Sequence, residues 1–307
     1  MSILVVGSVA LDSVETPFGK AERVLGGSAV YFSICANFFS KVNLVAVVGE
    51  DFPPEYFEFI KNKGIDLLGL QKQKGNTFFW RGKYSKNLNE AITLETKLNV
   101  FENFNPEIPE EYKDCEYVFL ANIDPELQLK VLKQVRSPKL VAGDTMNFWI
   151  QNKPDKLKET IEYLDLLIIN EDEAKELTEE TNIITAGKKI LTLGPKKLVI
   201  KQGSYGSLML TDSQIFHARA YPQEKVYDPT GAGDSFAGGL LGYLAGVGNT
   251  DEKYMRQGII LGSIMASFKI EDFSVTRLKN LTYPEIASRF TEFKKINYFE
   301  DVDFNSF

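Results

Sequence analysis

The segment TGAGD at residues 230–234 places a single carboxylate behind three residues that have almost no side chain. If a helix begins here, the N–H groups of Gly231, Ala232 and Gly233 are open to a ligand. The first turn of a helix attracts anions through its unpaired donors and its dipole. Asp234 then lies next to the bound anion and is expected to be ionised at neutral pH. This set of residues suits the transfer of a phosphoryl group.

The same stretch also fits an ordinary helix start, with Thr230 as the N-cap residue. The neighbouring Gly238 and Gly239 favour a more specialised role, because glycine costs ~1 kcal/mol relative to alanine inside a helix. We therefore expect another part of the chain to approach the backbone of this helix closely.

Several common sites are excluded because their residues are missing. The Gly-Lys pairs are followed by Ala, Tyr and Lys, so the sequence has no G-x-x-x-x-G-K-[ST] phosphate loop, and no G-x-G-x-x-G follows the first apolar run. The single histidine, His217, rules out a His-rich metal site and a two-histidine relay, and it is expected on a late strand.

The elements that position these residues follow from alternating apolar runs and helical stretches. Strands are predicted at 3–7, 43–49, 117–121, 139–143, 166–170 and 197–203. Helices are predicted at 29–39, 53–64, 125–136, 171–180 and 186–194, and further helices at 233–247, 251–269 and 283–296. This pattern indicates a single α/β domain over residues 1–307, with a doubly wound, mainly parallel sheet flanked by helices.

Two segments, 13–27 and 76–98, interrupt this pattern with alternating polar and apolar residues. Such alternation is typical of a small antiparallel sheet, which would form a lid that closes over a ligand or pairs two subunits as a homodimer. The second segment carries the aromatic residues Phe78, Phe79 and Trp80, followed by Arg81. They suit stacking on a base or sugar, or else the core of the lid or a dimer interface.

Polar side chains follow nearly every predicted strand, namely Asp12, Asp51, Asn122, Asp124, Asp144, Asn170 and Glu173. In open α/β sheets ligands bind beyond the carboxyl ends of the strands, so we expect the site at this edge. Asp144 and Asn147 contact substrate or solvated metal there, unless they only shape a turn.

The composition excludes other classes of partner. A net charge of -7 with well-mixed charges disfavours nucleic acid and anionic membranes. The longest apolar run, 258–268, is too short to span a bilayer. The first residues do not resemble a signal peptide, and Cys35 and Cys115 are expected as buried thiols, which together predict a cytoplasmic protein.

Four motifs, in order along the chain, resemble those of the ribokinase-like (PfkB-type) carbohydrate kinases. They are LGGSAVYFS (25–33), NEDE (170–173), KQGSYG (201–206) and DPTGAGDSFAGGLL (228–241), and GSVALD (7–12) also resembles the opening strand of the family. The resemblance covers essentially the full length. It implies the ribokinase-like fold with a small β-sheet lid, and an ATP- and Mg²⁺-dependent kinase.

The resemblance also implies roles for single residues. Asp234 takes the proton from the hydroxyl that attacks the γ-phosphate of ATP, and the small residues before it form the anion hole. Asn170 and Glu173 hold Mg²⁺, partly through water, although the same pair fits an N-cap with its capping carboxylate. The residues implied to bind the nucleotide are Asn170, Lys201, Gly203 and Gly206.

On the acceptor side, the resemblance assigns substrate binding to Asp12, Gly26 and Gly27. Tyr31 stands where many relatives carry Asn, which disfavours simple ribose or fructose and leaves room for a larger acceptor. Asp228 resembles a family position near a monovalent cation, which leaves activation by K⁺ open.

The resemblance favours a sugar hydroxymethyl group as the acceptor. A nucleoside kinase of the same superfamily is the alternative. A non-catalytic nucleotide- or sugar-binding protein on this fold is disfavoured by the intact Asp234 and anion hole.

Overall fold

The computed structural model describes residues 1–86, 88 and 91–304. The described strands are β1 (Ser2–Val6), β2 (Ala10–Thr16), β3 (Gly19–Gly26), β4 (Lys41–Val48), β5 (Asp66–Lys72), β6 (Phe78–Tyr84), β7 (Ala91–Lys97), β8 (Tyr117–Leu120), β9 (Leu140–Asp144), β10 (Leu166–Asn170), β11 (Lys197–Lys201), β12 (Ser207–Leu210) and β13 (Ile215–Ala218). The described α-helices are α1 (Ser28–Ala36), α2 (Pro54–Asn62), α3 (Pro125–Leu132), α4 (Asn147–Asn152), α5 (Pro154–Ile161), α6 (Glu171–Thr178), α7 (Ile183–Leu191), α8 (Ala232–Val247), α9 (Glu252–Lys269), α10 (Thr276–Lys279) and α11 (Tyr283–Ile296).

The main sheet has nine strands in the order β13-β12-β11-β10-β9-β8-β1-β4-β5. Pairing is parallel from β11 to β5, and β12 and β13 extend the sheet antiparallel. Ile3 and Val5 pack in one core layer with α1, α8 and α9, whereas Leu4 and Val6 pack in the other with α5 and α7. Both sheet faces are therefore covered, and the doubly wound, mainly parallel fold is confirmed.

A separate four-stranded sheet, in the order β3-β2-β6-β7, forms the lid. Its strands come from the two segments that interrupt the α/β pattern, although positions 87, 89 and 90 of the second segment lie outside the described residues. The central pair β2 and β6 runs parallel, which places Asp12 opposite Trp80. Ile92 and Leu94 are exposed on the edge strand β7. A homodimer through the lid stays a prediction.

The paired glycines of α8 lie where two helices meet it. A Cβ on Gly238 would come within 2.4 Å of the Phe32 carbonyl oxygen in α1, and one on Gly239 within 2.9 Å of Gly262 Cα in α9. The expected close approach is therefore to neighbouring helices, which sets α8 firmly against the core. Among the described helices, none is long and apolar enough to cross a membrane.

Candidate active site

Four charged side chains meet where β9, β10 and β11 end. Asp144 closes β9, Glu173 lies in the first turn of α6, Lys201 closes β11, and Asp234 lies in the first turn of α8. The Lys201 Nζ atom is 3.2 Å from Asp144 Oδ2. A Cβ on Gly233 would be 3.1 Å from the same Nζ, so the ammonium lies against the predicted anion hole. The structure thus brings the NEDE, KQGSYG and TGAGD motifs to one place.

Two carboxyl groups of this cluster, Asp234 and Glu173, resist ionisation. Burial raises the pKa of Asp234 to about 7, and the Asp144 charge adds to the shift, against the attraction of Lys201. Burial likewise raises the pKa of Glu173 to about 7, opposed by Lys201 and reinforced by Asp144. The expectation that Asp234 has a low pKa because it starts a helix is therefore wrong. Its desolvation outweighs the helix dipole.

Lys201 is the positive centre of the cluster. Burial lowers its pKa, but the charges of Asp144, Glu173 and Asp234 outweigh that effect, and the net pKa is raised. One ammonium faces three carboxyl groups, so the cluster has an excess of acidic groups over cations. Such a cluster favours the binding of a further cation.

The start of α8 differs in detail from the sequence expectation. Gly231 is the N-cap residue with φ 78, and the Tyr31 ring lies so close that a Cβ on Gly231 would be 2.3 Å from its Cδ2 atom. Only glycine fits this position in both conformation and space. The Ala232 N–H donates to the Pro229 carbonyl at 3.1 Å. One of the three predicted anion donors thus has an internal acceptor.

Thr230 does not cap the helix with its side chain. Its hydroxyl donates instead to the Tyr84 hydroxyl at the end of β6, at 3.2 Å. A second contact from the lid reaches the same loop, because the Thr16 hydroxyl donates to the Tyr227 carbonyl at 2.8 Å. The lid sheet is therefore hydrogen-bonded to the chain that leads into the anion hole.

The predicted acceptor residues lie together at the base of the lid. Asp12 is only 4% exposed, and its carboxylate lies against Gly26, where a Cβ would be 1.8 Å from Oδ2. Burial raises the Asp12 pKa to about 7, and the Asp228 charge adds to the shift, while a hydrogen bond from the Gly27 N–H opposes it. Tyr31 is buried below, and its hydroxyl has no hydrogen-bond partner among the described residues.

The lid aromatics divide between two faces of β6. Phe78 stacks on Phe101 with centroids 5.3 Å apart, which is a structural contact. Phe79 points to the opposite face from Trp80, with Arg23 and Lys97 each 5.8 Å from its ring centre.

Trp80 shares a face with Asp12, since paired residues on adjacent strands point the same way. The Trp80 indole lies over Gly82, and its Nε1 donates to the Thr93 hydroxyl at 3.2 Å. Phe78 and Trp80 both lie on the face that carries the acceptor carboxylate, and Phe78 is already stacked on Phe101.

Comparison with known proteins agrees with this geometry. Residues 3–276 match the pfkB family of carbohydrate kinases. The chain belongs to this family. It is 29% identical over 253 residues to the cytidine kinase of Thermococcus kodakarensis. The matched region covers 80% of this chain and 90% of that protein.

Solved structures show the same fold. The nucleoside kinase of Methanocaldococcus jannaschii, described as an archaeal member of the ribokinase family, superposes with a TM-score of 0.76 at 24% identity, over 95% of this chain and 98% of that one. The nucleoside kinase of Burkholderia thailandensis in complex with inosine gives a TM-score of 0.78 at 19% identity, over 94% and 97%. This PfkB-family chain is therefore an ATP-dependent phosphotransferase, a sugar or nucleoside kinase on the ribokinase fold.

The NEDE motif of this kinase forms a capping box. Asn170 Oδ1 accepts from the Glu173 N–H at 2.8 Å, and Glu173 Oε2 accepts from the Asn170 N–H at 2.9 Å. The interpretation of Asn170 and Glu173 as an N-cap with its capping carboxylate is therefore confirmed. It leaves the Mg²⁺ interpretation open, because a capping carboxylate has a second oxygen.

The described residues fit Mg²⁺ delivered with ATP. They contain no group of three or more His, Cys, Asp and Glu side chains able to hold a metal by themselves. Mg²⁺ usually binds one or two carboxylates together with substrate phosphates and water. The acidic excess around Lys201 suits that mode of binding.

The predicted nucleotide loop follows β11 as a single 3₁₀ turn, Gly203–Tyr205. Gly203 is exposed, and the Gly206 N–H donates back to its carbonyl at 3.1 Å. Other predicted positions lie outside the cluster. His217 is exposed on β13 and Asn147 is exposed at the start of α4. Asn122 accepts from the Trp149 indole, a structural contact.

Sequence reasoning missed Lys269, which lies with Asp228 at complete burial, both 0% exposed. The Lys269 Nζ donates to the Asp228 carbonyl at 2.9 Å, to Asp228 Oδ2 at 3.1 Å and to the Asp272 carbonyl at 3.3 Å. In this structure these oxygens therefore already accept from an ammonium, and activation by K⁺ stays a prediction. The signal that could have identified Lys269 as a buried charge is its position directly after the apolar run 258–268.

Proposed function

We propose that this PfkB-family chain is a nucleoside kinase, which transfers the γ-phosphate of ATP to the ribose hydroxymethyl group of a nucleoside. The observation that carries the proposal is the pairing of Asp12 with Trp80 on one face of the lid. A carboxylate can accept hydrogen bonds from vicinal ribose hydroxyls, and an indole beside it offers a stacking surface for a base. A free sugar would leave that surface unused.

The relatives support a nucleoside over a simple sugar. The cytidine kinase of Thermococcus kodakarensis and the inosine-bound kinase of Burkholderia thailandensis both act on or bind nucleosides by name. Tyr31 points the same way, since its large ring replaces the amide that many relatives carry and leaves room for a larger acceptor. Its buried hydroxyl lacks a protein partner among the described residues, so a ligand is a natural acceptor for it.

Asp234 serves as the proton acceptor. The substrate oxygen forms a bond to the γ-phosphorus, the bond from that phosphorus to the β,γ-bridging oxygen breaks, and ADP leaves. The hydroxyl proton passes to an Asp234 carboxylate oxygen. A base whose pKa lies near the working pH is better matched to this task than a strongly acidic one.

Lys201 and the start of α8 stabilise the charge on the transferring group. The Gly231 and Gly233 N–H groups are the donors suited to its oxygens, and the Lys201 ammonium beside Gly233 supplies a full positive charge. Phosphoryl transfer passes through a loose transition state, so positioning and electrostatics supply most of the catalysis.

Glu173 and Asp144 are the carboxylates suited to Mg²⁺. The ion would neutralise phosphate charge when it is bound with ATP. Its positive charge would also oppose the rise in the pKa of Glu173, which burial causes and the Asp144 charge reinforces.

A coupled ADP-release assay with Mg-ATP tests the proposal across cytidine, uridine, inosine, adenosine, ribose and fructose. We expect a nucleoside to have the highest kcat/KM, with the Asp234→Asn variant as the inactive control. A preference for free ribose or fructose would make the chain a sugar kinase. ATP binding without turnover of any acceptor would support a binding protein instead.

A further inference from the structure

The buried pair of Asp228 and Lys269 is connected to the anion hole. The Thr230 N–H donates to Asp228 Oδ1 at 2.9 Å, and Thr230 directly precedes Gly231. Asp228 Oδ2 accepts from the Ser274 N–H at 3.0 Å. The Asp228 carboxylate therefore ties the chain entering α8 to the loop that follows α9.

The same network reaches the acceptor side. The Ser274 hydroxyl donates to the Leu25 carbonyl, directly before Gly26. Ser274 has φ 53, a conformation that few non-glycine residues adopt, and its two hydrogen bonds hold it there. A backbone hydrogen bond of 2.8 Å from Tyr227 to Ile270 runs alongside. Both substrate sides of the cleft thus depend on the chain around Lys269.

The surroundings of Lys269 Nζ are those of a cation. Its three oxygen acceptors, from Asp228 and Asp272, match the three N–H donors of an ammonium, whereas a neutral amine has only two. The Tyr31 ring centre lies 5.5 Å from Nζ and presents a fourth, aromatic neighbour. Two carbonyls, a carboxylate and a ring face would equally surround a bound monovalent ion.

We propose that Lys269 is a covalently attached monovalent cation, which positions the anion-hole loop in place of K⁺. The Nζ atom takes the oxygens that an ion at Asp228 would need, so the kinase does not depend on K⁺. Lys269 is a positioning residue in this scheme. It acts on the reaction through Asp228 and Thr230 and does not touch the transferring phosphate.

Activity of the unaltered kinase gives the first test. KCl is exchanged for tetramethylammonium chloride at constant ionic strength, with whichever acceptor supports turnover. We expect kcat and KM to be the same in both salts. Clear activation by K⁺ would overturn the proposal without any variant.

Two variants give the second test. Lys269→Ala opens a space beside the oxygen atoms, whereas Lys269→Met fills that space with a neutral chain of similar length. We expect both to lose ~10²-fold in kcat through misplacement of the loop. Added KCl or ammonium chloride should restore Lys269→Ala and not Lys269→Met.

Melting temperature supplies a readout that needs no acceptor. We expect K⁺ to raise Tm for Lys269→Ala and to leave the unaltered protein and Lys269→Met unchanged, because only a bound ion stabilises the folded state. Lys139→Ala, which removes an exposed lysine, is the control for general salt effects. A folded Lys269→Ala protein that ignores K⁺ in both Tm and rate would contradict the proposal.

Discussion

Two lysine–aspartate pairs lie on either side of the anion-hole loop, and they differ in how completely their charges are satisfied. Lys201 and Asp144 are 18% and 6% exposed at the cleft, and two further carboxyl groups compete for the same ammonium. Lys269 and Asp228 are fully buried, with three acceptors for three donors. The unbalanced cluster is the one suited to ligands, whereas the balanced pair belongs to the scaffold.

This contrast predicts where a substitution will act. Changes at the cleft cluster should affect turnover more than stability, because the cluster is electrostatically strained. Changes at the buried pair should reduce stability first, because a lone buried charge has no solvent to replace its partner.

The largest effect is expected for Asp234→Asn. The amide keeps the shape of the side chain but cannot accept the proton, so kcat should fall by ~10²–10⁴ while ATP affinity stays near normal. Steady-state kinetics and ATP titration measure the two quantities. Asp155→Asn, an aspartate in the first turn of α5, is the matched control and should have normal kcat. Unchanged turnover in Asp234→Asn would remove this residue from the mechanism.

Lys269→Met and Lys201→Met test the contrast directly. Removing the lysine of the fully buried pair should lower the free energy of unfolding by ~3–5 kcal/mol, as for other broken buried ion pairs. Lys201→Met should lower it by less than ~2 kcal/mol, because the carboxyl groups around it can take up protons, yet it should reduce turnover strongly. Urea denaturation followed by circular dichroism gives both values. Equal loss of stability in the two variants would break the comparison.

The lid repeats the contrast on the two faces of β6. Phe79 has two cationic side chains, Arg23 and Lys97, each 5.8 Å from its ring centre, whereas Trp80 lies on the face that carries the acceptor carboxylate. Trp80→Ala should raise the acceptor KM by ~10-fold, since stacking on a base is worth ~1–3 kcal/mol, with the KM for ATP unchanged. Phe79→Leu is the control and should leave both KM values unchanged. Equal effects of the two substitutions would argue against a base platform at Trp80.

Much of the fold is visible in the sequence because the central strands are apolar on both faces. The edge strand β5 was missed, since it is charged at both ends and contains a glycine, which makes it unlike a buried strand. The short helices α4 and α5 were also missed. The C-terminal helix at 283–296 agrees with α11 as predicted, because a long amphipathic stretch gives a strong periodic signal.

The site was less predictable than the fold where it depends on burial and long-range pairing. Asp234 was identified from the residue types and spacing of TGAGD, whereas the roles of Asp12 and Lys201 were implied by the resemblance to the family. Burial raises the pKa values of Asp12 and Asp234, and the surrounding carboxyl groups raise that of Lys201. A linear sequence reveals neither effect. Lys269 meets Asp228 only because α8 and α9 pack together, and Trp80 shares a face with Asp12 only through the parallel pairing of β2 with β6.

The smallest effect tests the strain in the cleft cluster through pH. The pKa of Asp234 is raised from 3.8 to about 7, so its protonated form is favoured on folding. The associated stability is fully present below the unfolded pKa and is lost as the pH rises through about 7. Asn resembles the protonated carboxyl group and should escape this loss. Asp234→Asn should therefore melt with the unaltered protein near pH 4 and above it near pH 8.

Differential scanning calorimetry across that pH range measures how the difference in melting temperature between the two proteins changes. Asp155→Asn should follow the unaltered protein at every pH, because its side chain is exposed on α5. If Asp234→Asn also follows it, Asp234 is not strained and the cleft cluster is as well balanced as the buried pair. If the gap opens only as the pH rises, the carboxylate that serves catalysis is one that the folded protein holds at a cost in stability.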